Sequence, residues 1–145
     1  MTDRTTTQTL RDLMTADPIV LDADATVADA AKAMKARNVG DVLVRRDGEL
    51  CGIVTDRDLV VRCLAEDPKR AASRRLGEVC SKVLHALAPD AEVGEAISLM
   101  KDRAIRRIPV VEDGSPVGIV SLGDLAVARD RESCLGRISA APPTR

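Results

Sequence analysis

The strongest constraint on this 145-residue chain is that it repeats itself. Residues 12–65 align with residues 78–131 at a constant offset of 66 and without a gap, and 17 of the 54 aligned pairs are identical. Average residue usage would give only about a quarter as many by chance. The identities cluster: Val27 with Val93, Met34 with Met100, Arg37 with Arg103, Asp47-Gly48 with Asp113-Gly114, Gly52-Ile53-Val54 with Gly118-Ile119-Val120, and Asp58-Leu59 with Asp124-Leu125. A fixed period of this length means that one supersecondary unit occurs twice. A unit of roughly 55 residues buries too small a share of its surface to be comfortably stable alone. The two copies are therefore expected to pack sheet to sheet about a pseudo-two-fold axis.

Within the first copy, Thr26 or Asp24 can cap a helix whose apolar face is Val27, Ala30, Ala31 and Met34, at the i, i+3, i+4, i+7 spacing. Val93, Ala96, Ile97 and Met100 repeat the pattern. A β-hairpin follows each helix: Val42 to Val44 and Cys51 to Val54 around an Asp47-Gly48 turn, then Ile108 to Val111 and Val117 to Val120 around Asp113-Gly114. A second helix is expected from about Asp56 to Ala65 and from about Leu122 to Arg131. Short strands should lead each unit, near Ile19 to Leu21 and Leu84 to Ala86. The fold class is α+β, a tandem of β-α-β-β-α repeats: repeat 1 at 9–66, a polar linker at 67–75, repeat 2 at 76–132, and a frayed, partly disordered tail at 133–145 with Pro142-Pro143.

Hydrophobic residues make up 45% and charged residues 31%, but aromatic residues are absent, so the core must come from aliphatic side chains and Met. Charges of both signs are mixed and the net charge is -1, which offers no basic field to nucleic acid. No apolar run approaches the ~20 residues needed to cross a bilayer, and the polar Met1 to Leu10 segment does not resemble a signal peptide. A cytoplasmic protein with no membrane contact is expected. Cys51, Cys63, Cys80 and Cys134 show no metal-ligand spacing with the single histidine, His85, so no metal is expected and the thiols read as free. Redox regulation through them is a weaker alternative. No nucleophile with a base and no metal constellation is visible, so no catalytic residue is assigned and the chain is expected not to be an enzyme.

Several motifs resemble those of the CBS domain pair, the Bateman module, in its stand-alone two-domain form. They are Asp12-Leu13-Met14-Thr15, Arg106-Arg107-Ile108-Pro109-Val110-Val111, and the strand-to-helix motifs from Gly52 to Asp58 and from Gly118 to Asp124, together spanning about residues 9–131. The resemblance implies a ligand-sensing regulatory module that takes adenosine compounds, AMP, ADP, ATP or S-adenosylmethionine, in the clefts between repeats, with no required cofactor. It implies Asp58 and Asp124 on the ribose, and Thr55 and Ser121 on the phosphate side. Arg57, Arg106 and Arg107 would add positive charge there, with Arg107 expected to turn inward. The physics is compatible. A carboxylate accepts charge-assisted hydrogen bonds from both hydroxyls of a cis-diol, and a helix start favours an anion. The same T-x-x-D and S-x-x-D spacing is also a capping box, and Gly52 and Gly118 mark close approach by either a ligand or a neighbouring element.

The first repeat departs from the pattern, with Gly40-Asp41 in place of Arg106-Arg107 and Leu43 in place of Pro109. A carboxylate there repels phosphate, so at most one site suits a phosphorylated ligand. Without aromatics, adenine would lie between aliphatic walls such as Val20, Val42 or Ile108. His85 reads as a partly exposed strand residue, with pH sensing as its alternative. The resemblance also implies a homodimer through the Ala-rich helix faces, an effector protein that reads the signal in trans, and a ligand that changes the angle between repeats or the dimer packing. The other reading is a ligand-free homodimeric protein-interaction or stress-response module in which both motifs only cap helices.

Overall fold

A computed structural model describes residues 8–83 and 85–129. Leu84, Cys134 and the tail expected at 133–145 lie outside the described residues. In chain order the elements are α1 (Leu10–Leu13), β1 (Thr15–Ala16), β2 (Val20–Asp22), α2 (Val27–Arg37), β3 (Asp41–Arg46), β4 (Glu49–Thr55), α3 (Asp56–Asp58) running into a π-helical stretch (Leu59–Leu64), a 3-10 turn (Ala71–Ser73), α4 (Leu76–Val79), β5 (Ser81–Lys82), α5 (Val93–Arg103), β6 (Arg107–Glu112), β7 (Ser115–Ser121) and α6 (Leu122–Arg129). The α+β class is as expected from the repeat.

The packed units do not coincide with the sequence repeats. One unit comprises residues 18–83, the other residues 8–17 with 85–129. The first holds a four-stranded sheet in the order β2-β3-β4-β5, the second a three-stranded sheet in the order β1-β7-β6. Each hairpin thus receives its antiparallel edge strand from the opening segment of the other repeat: Ser81 and Lys82 pair with Ile53 and Gly52, and Thr15 and Ala16 pair with Ile119 and Gly118. One core gathers Val27, Ala30, Met34, Val42, Val44, Val54, Cys63 and Leu76. The other gathers Leu10, Val93, Ala96, Met100, Ile108, Val110, Val120 and Leu125.

Local chemistry explains most boundaries. Thr26 and Asp29 close a reciprocal capping box at the start of α2, with Asp29 N–H donating to Thr26 Oγ1 at 3.2 Å and Thr26 N–H donating to Asp29 Oδ2 at 3.0 Å. These bonds hold the Asp29 carboxyl below the usual carboxylate range. Asp47 and Gly48 at φ 54° and 80°, and Asp113 and Gly114 at 53° and 79°, put positive φ at both centres of each hairpin turn, the twist that matches two-residue loops. A bulge between Val44 and Arg45, and its equivalent between Val110 and Val111, leaves Cys51 and Val117 unmatched on the partner strands.

Four expectations need correction. Ala31 is exposed and Ile97 only half-buried, so the buried faces of α2 and α5 reduce to three residues each. Among the described residues, the leading strand expected near Leu84 to Ala86 is represented by a parallel bridge of Leu87 with Val110. The cause is Pro109: Leu43 donates its N–H to Ile19 at 2.8 Å, but the matching Pro109 has no N–H to offer His85. The segment expected as a linker is docked, since Ala71 is buried in the core and Arg74 accepts from Val27 N–H at 2.9 Å. The helix expected from Asp56 to Ala65 is α-helical only to Asp58 and π-helical beyond it.

Candidate functional site

Both strand-to-helix turns are closed by their own side chains. Thr55 N–H donates to Asp58 Oδ2 at 2.9 Å, and Asp58 N–H donates to Thr55 Oγ1 at 3.1 Å. Ser121 N–H donates to Asp124 Oδ2 at 2.8 Å, and Asp124 N–H donates to Ser121 Oγ at 3.1 Å. The capping role that the spacing allows is therefore realised twice. It does not exhaust the groups. Each hydroxyl accepts a bond and still has its O–H to donate, and each carboxylate spends one oxygen on the cap. The second oxygen of Asp58 stands 3.9 Å from Arg62 Nε, whereas that of Asp124 has no partner among the described residues. All four side chains are half-buried, so each turn presents a polar edge that is fixed yet reachable.

The backbone around the turns is the same in both units. Asp56 N–H donates to Gly40 O at 3.0 Å and Leu122 N–H donates to Arg106 O at 2.9 Å, which ties each helix start to the residue just before the first strand of its hairpin. Register then sets what faces the hydroxyl: Asp41 lies opposite Thr55, and Arg107 lies opposite Ser121. Charge separates the two turns. Asp41, Asp56 and Asp58 make the first acidic, relieved by Arg62 beside Asp58 and by an exposed Arg57, whose backbone N–H donates to Asp56 Oδ1 at 2.8 Å. Arg106 and Arg107 make the second basic, with Asp124 as its carboxylate.

Asp56 was not among the residues singled out from sequence. Gly40 makes room for it, since a Cβ at position 40 would stand 3.2 Å from Asp56 Oδ2. The signal was present in the repeat itself, where Gly40 and Asp56 replace Arg106 and Leu122 together.

Arg107 is half-buried at the start of β6, and Arg106 is exposed at the rim of an apolar groove lined by Ile97, Met100, Ile105, Leu122 and Leu125. Val20 is half-buried. Val42 and Ile108, expected as adenine walls, are 0% exposed, each within the core of its own unit. Gly52 and Gly118 are explained by neighbouring elements: a Cβ on them would stand 2.4 Å from Cys80 Sγ and 2.5 Å from Met14 Sδ. His85 is half-buried and belongs to neither turn. Among the described residues, no three His, Cys, Asp or Glu side chains are grouped to hold a metal ion, and no helix is long and apolar enough to cross a membrane.

Comparison with known proteins bears on this geometry. The family model described as CBS domain matches residues 10–64 and again residues 76–131. The CBS domain-containing protein YhcV of Bacillus subtilis is 38% identical over 118 residues, covering 81% of this chain and 83% of that protein. Hypoxic response protein 1 of Mycobacterium tuberculosis is 31% identical over 121 residues, covering 81% and 82%. Among solved structures, the CBS-domain containing protein ATU1752 from Agrobacterium tumefaciens superposes with a TM-score of 0.74 at 24% identity, over 89% of this chain and 98% of that one. The CBS domain pair of protein MJ0100, solved with 5-methylthioadenosine and S-adenosyl-L-methionine, gives 0.75 at 22% identity, over 88% and 100%.

Proposed function

The chain belongs to the CBS domain family, of which it carries two copies in tandem, and from that premise we propose that it is a regulatory sensor binding an adenosine-type nucleotide at the Ser121–Asp124 turn. One observation carries the choice of turn: Arg107 lies opposite Ser121 with Arg106 beside it, where the other unit has Asp41 and Gly40. A phosphate gains from the two guanidiniums and the free hydroxyl donor, and the open oxygen of Asp124 is placed to accept from a ribose hydroxyl. The acidic Thr55–Asp58 turn suits a less negative ligand, for which the sulfonium of S-adenosylmethionine is the natural candidate. The CBS pair of MJ0100, with its two adenosine compounds, supports the ligand class.

In this reading the module is not catalytic. It signals in trans as a homodimer whose packing the ligand changes and an effector protein reads. Exposed Val60, Val61, Leu64 and Leu122, together with the apolar groove beside Arg106, support the dimer. A second reading, a ligand-free interaction module, is favoured by the two closed capping boxes.

Thermal melting against AMP, ADP, ATP and S-adenosylmethionine separates the two. A ligand at a hundred times its dissociation constant adds about 2.7 kcal/mol, an unmistakable rise in Tm. Asp124→Asn keeps an oxygen for the cap but loses the charge, so it should melt near wild type and bind AMP roughly 10-fold or more weaker. Asp58→Asn should leave AMP binding unchanged. If no adenosine compound shifts wild type even at millimolar concentration, the sensing reading fails and the interaction module stands.

A further inference from the structure

Cys51 and Cys80 meet at the edge of the sheet in the unit built from residues 18–83. Cys51 is the unmatched residue of the β4 bulge, which takes it out of strict alternation, and Val83 N–H donates to its carbonyl at 3.2 Å. Cys80 sits just before β5 with its sulfur over Gly52, where a Cβ would stand 2.4 Å from Sγ. Both side chains pack against the same core, and Cys51 is the chain neighbour of the Gly52 that the Cys80 sulfur covers. The Cys80 thiol also points toward Gly77 O at 3.9 Å. Both cysteines are half-buried, whereas Cys63 is fully buried.

The fold does not demand these thiols. At the offset of 66 their counterparts are Val117 and Met14, and the geometry is the same, with the Met14 sulfur 2.5 Å from where a Gly118 Cβ would stand. An apolar pair fills the place in one unit and a thiol pair fills it in the other.

We propose that Cys51 and Cys80 are a reversible oxidation site that closes to an intramolecular disulfide and fastens β5 to the β4 bulge. The two thiols give up two protons and two electrons as the S–S bond forms. Hydrogen peroxide takes them up to become two waters, or a small-molecule disulfide takes them up to become two thiols. Burial, with Cys51 alongside, holds the Cys80 thiol above its usual range, so the reaction quickens as pH rises into the alkaline range. The site is independent of nucleotide binding.

The test treats the reduced full-length chain with oxidised glutathione or hydrogen peroxide, alkylates remaining thiols, and maps tryptic peptides by mass spectrometry alongside a melt. The expected result is one linked peptide pair joining Cys51 to Cys80, released by dithiothreitol, with no covalent dimer. Closing a loop of roughly 28 residues should raise Tm by about 5 °C or more. The Cys51→Val/Cys80→Met variant, which copies the other unit, should melt like reduced wild type and show no response to oxidant. Recovery of Cys51 and Cys80 as separately alkylated thiols, as glutathione adducts, or bonded to Cys134 or to a second chain overturns the proposal. So does an oxidant-dependent rise that survives in the variant. Should the variant not fold, the wild-type peptide map decides alone.

Discussion

Ala104 is held in a backbone conformation that its side chain opposes. It ends α5 at φ 56° and ψ 41°, as Asn38 ends α2 at φ 55° and ψ 49°. A left-handed residue with a Cβ costs roughly 1–2 kcal/mol, which Asn and Gly reduce or avoid. Ala104→Gly should therefore stabilise the protein by about 1 kcal/mol, read as a higher urea midpoint at unchanged m-value. Residue-scale features of this kind were mostly legible in the sequence. The Asp-Gly turns and the T-x-x-D and S-x-x-D caps depend on neighbours no more than three positions away. The direction of Val42 and Ile108 was not legible, because Val42, Leu43 and Val44 are all buried, as are Ile108, Pro109 and Val110. A run covered on both faces has no alternation to read.

At the scale of elements, the hairpins are complete only when an edge strand docks, and a glycine on β4 and on β7 marks each docking line. A Cβ on Gly118 would stand 2.8 Å from Met14 Cγ and 3.0 Å from Thr15 O, and the second of these is backbone that cannot swing away. Gly118→Ala should thus push β1 off β7 and cost about 2 kcal/mol or more in chemical denaturation. The sequence marked the close approach but not what approached, since ligand and strand make the same demand. The π-helical stretch after α3 was equally hidden. Ala65 N–H reaches back five residues to Val60 O at 2.9 Å, a hydrogen-bond register that apolar spacing over six residues does not encode.

For the whole molecule, the repeat and the packed unit are different objects. Leu10 opens the first repeat yet is fully buried in the core formed by the second, where Arg11 also pairs with Glu112 at 3.0 Å. Leu10→Ala should cost about 2–5 kcal/mol. Hydrogen exchange should show the loss of protection in residues 85–129 first, not in the neighbouring residues 18–83. The sequence by itself determined the duplication, the helices and hairpins within it, the family, and the pair of Thr/Ser–Asp turns, because all of these are written in local spacing and in the match at a single offset. Tertiary structure alone decided which segment closes which sheet, that Leu10 is buried with the second repeat, and that Cys51 and Cys80 pack against one core. These are meetings between residues far apart in the chain, and their partners are selected by burial and strand register.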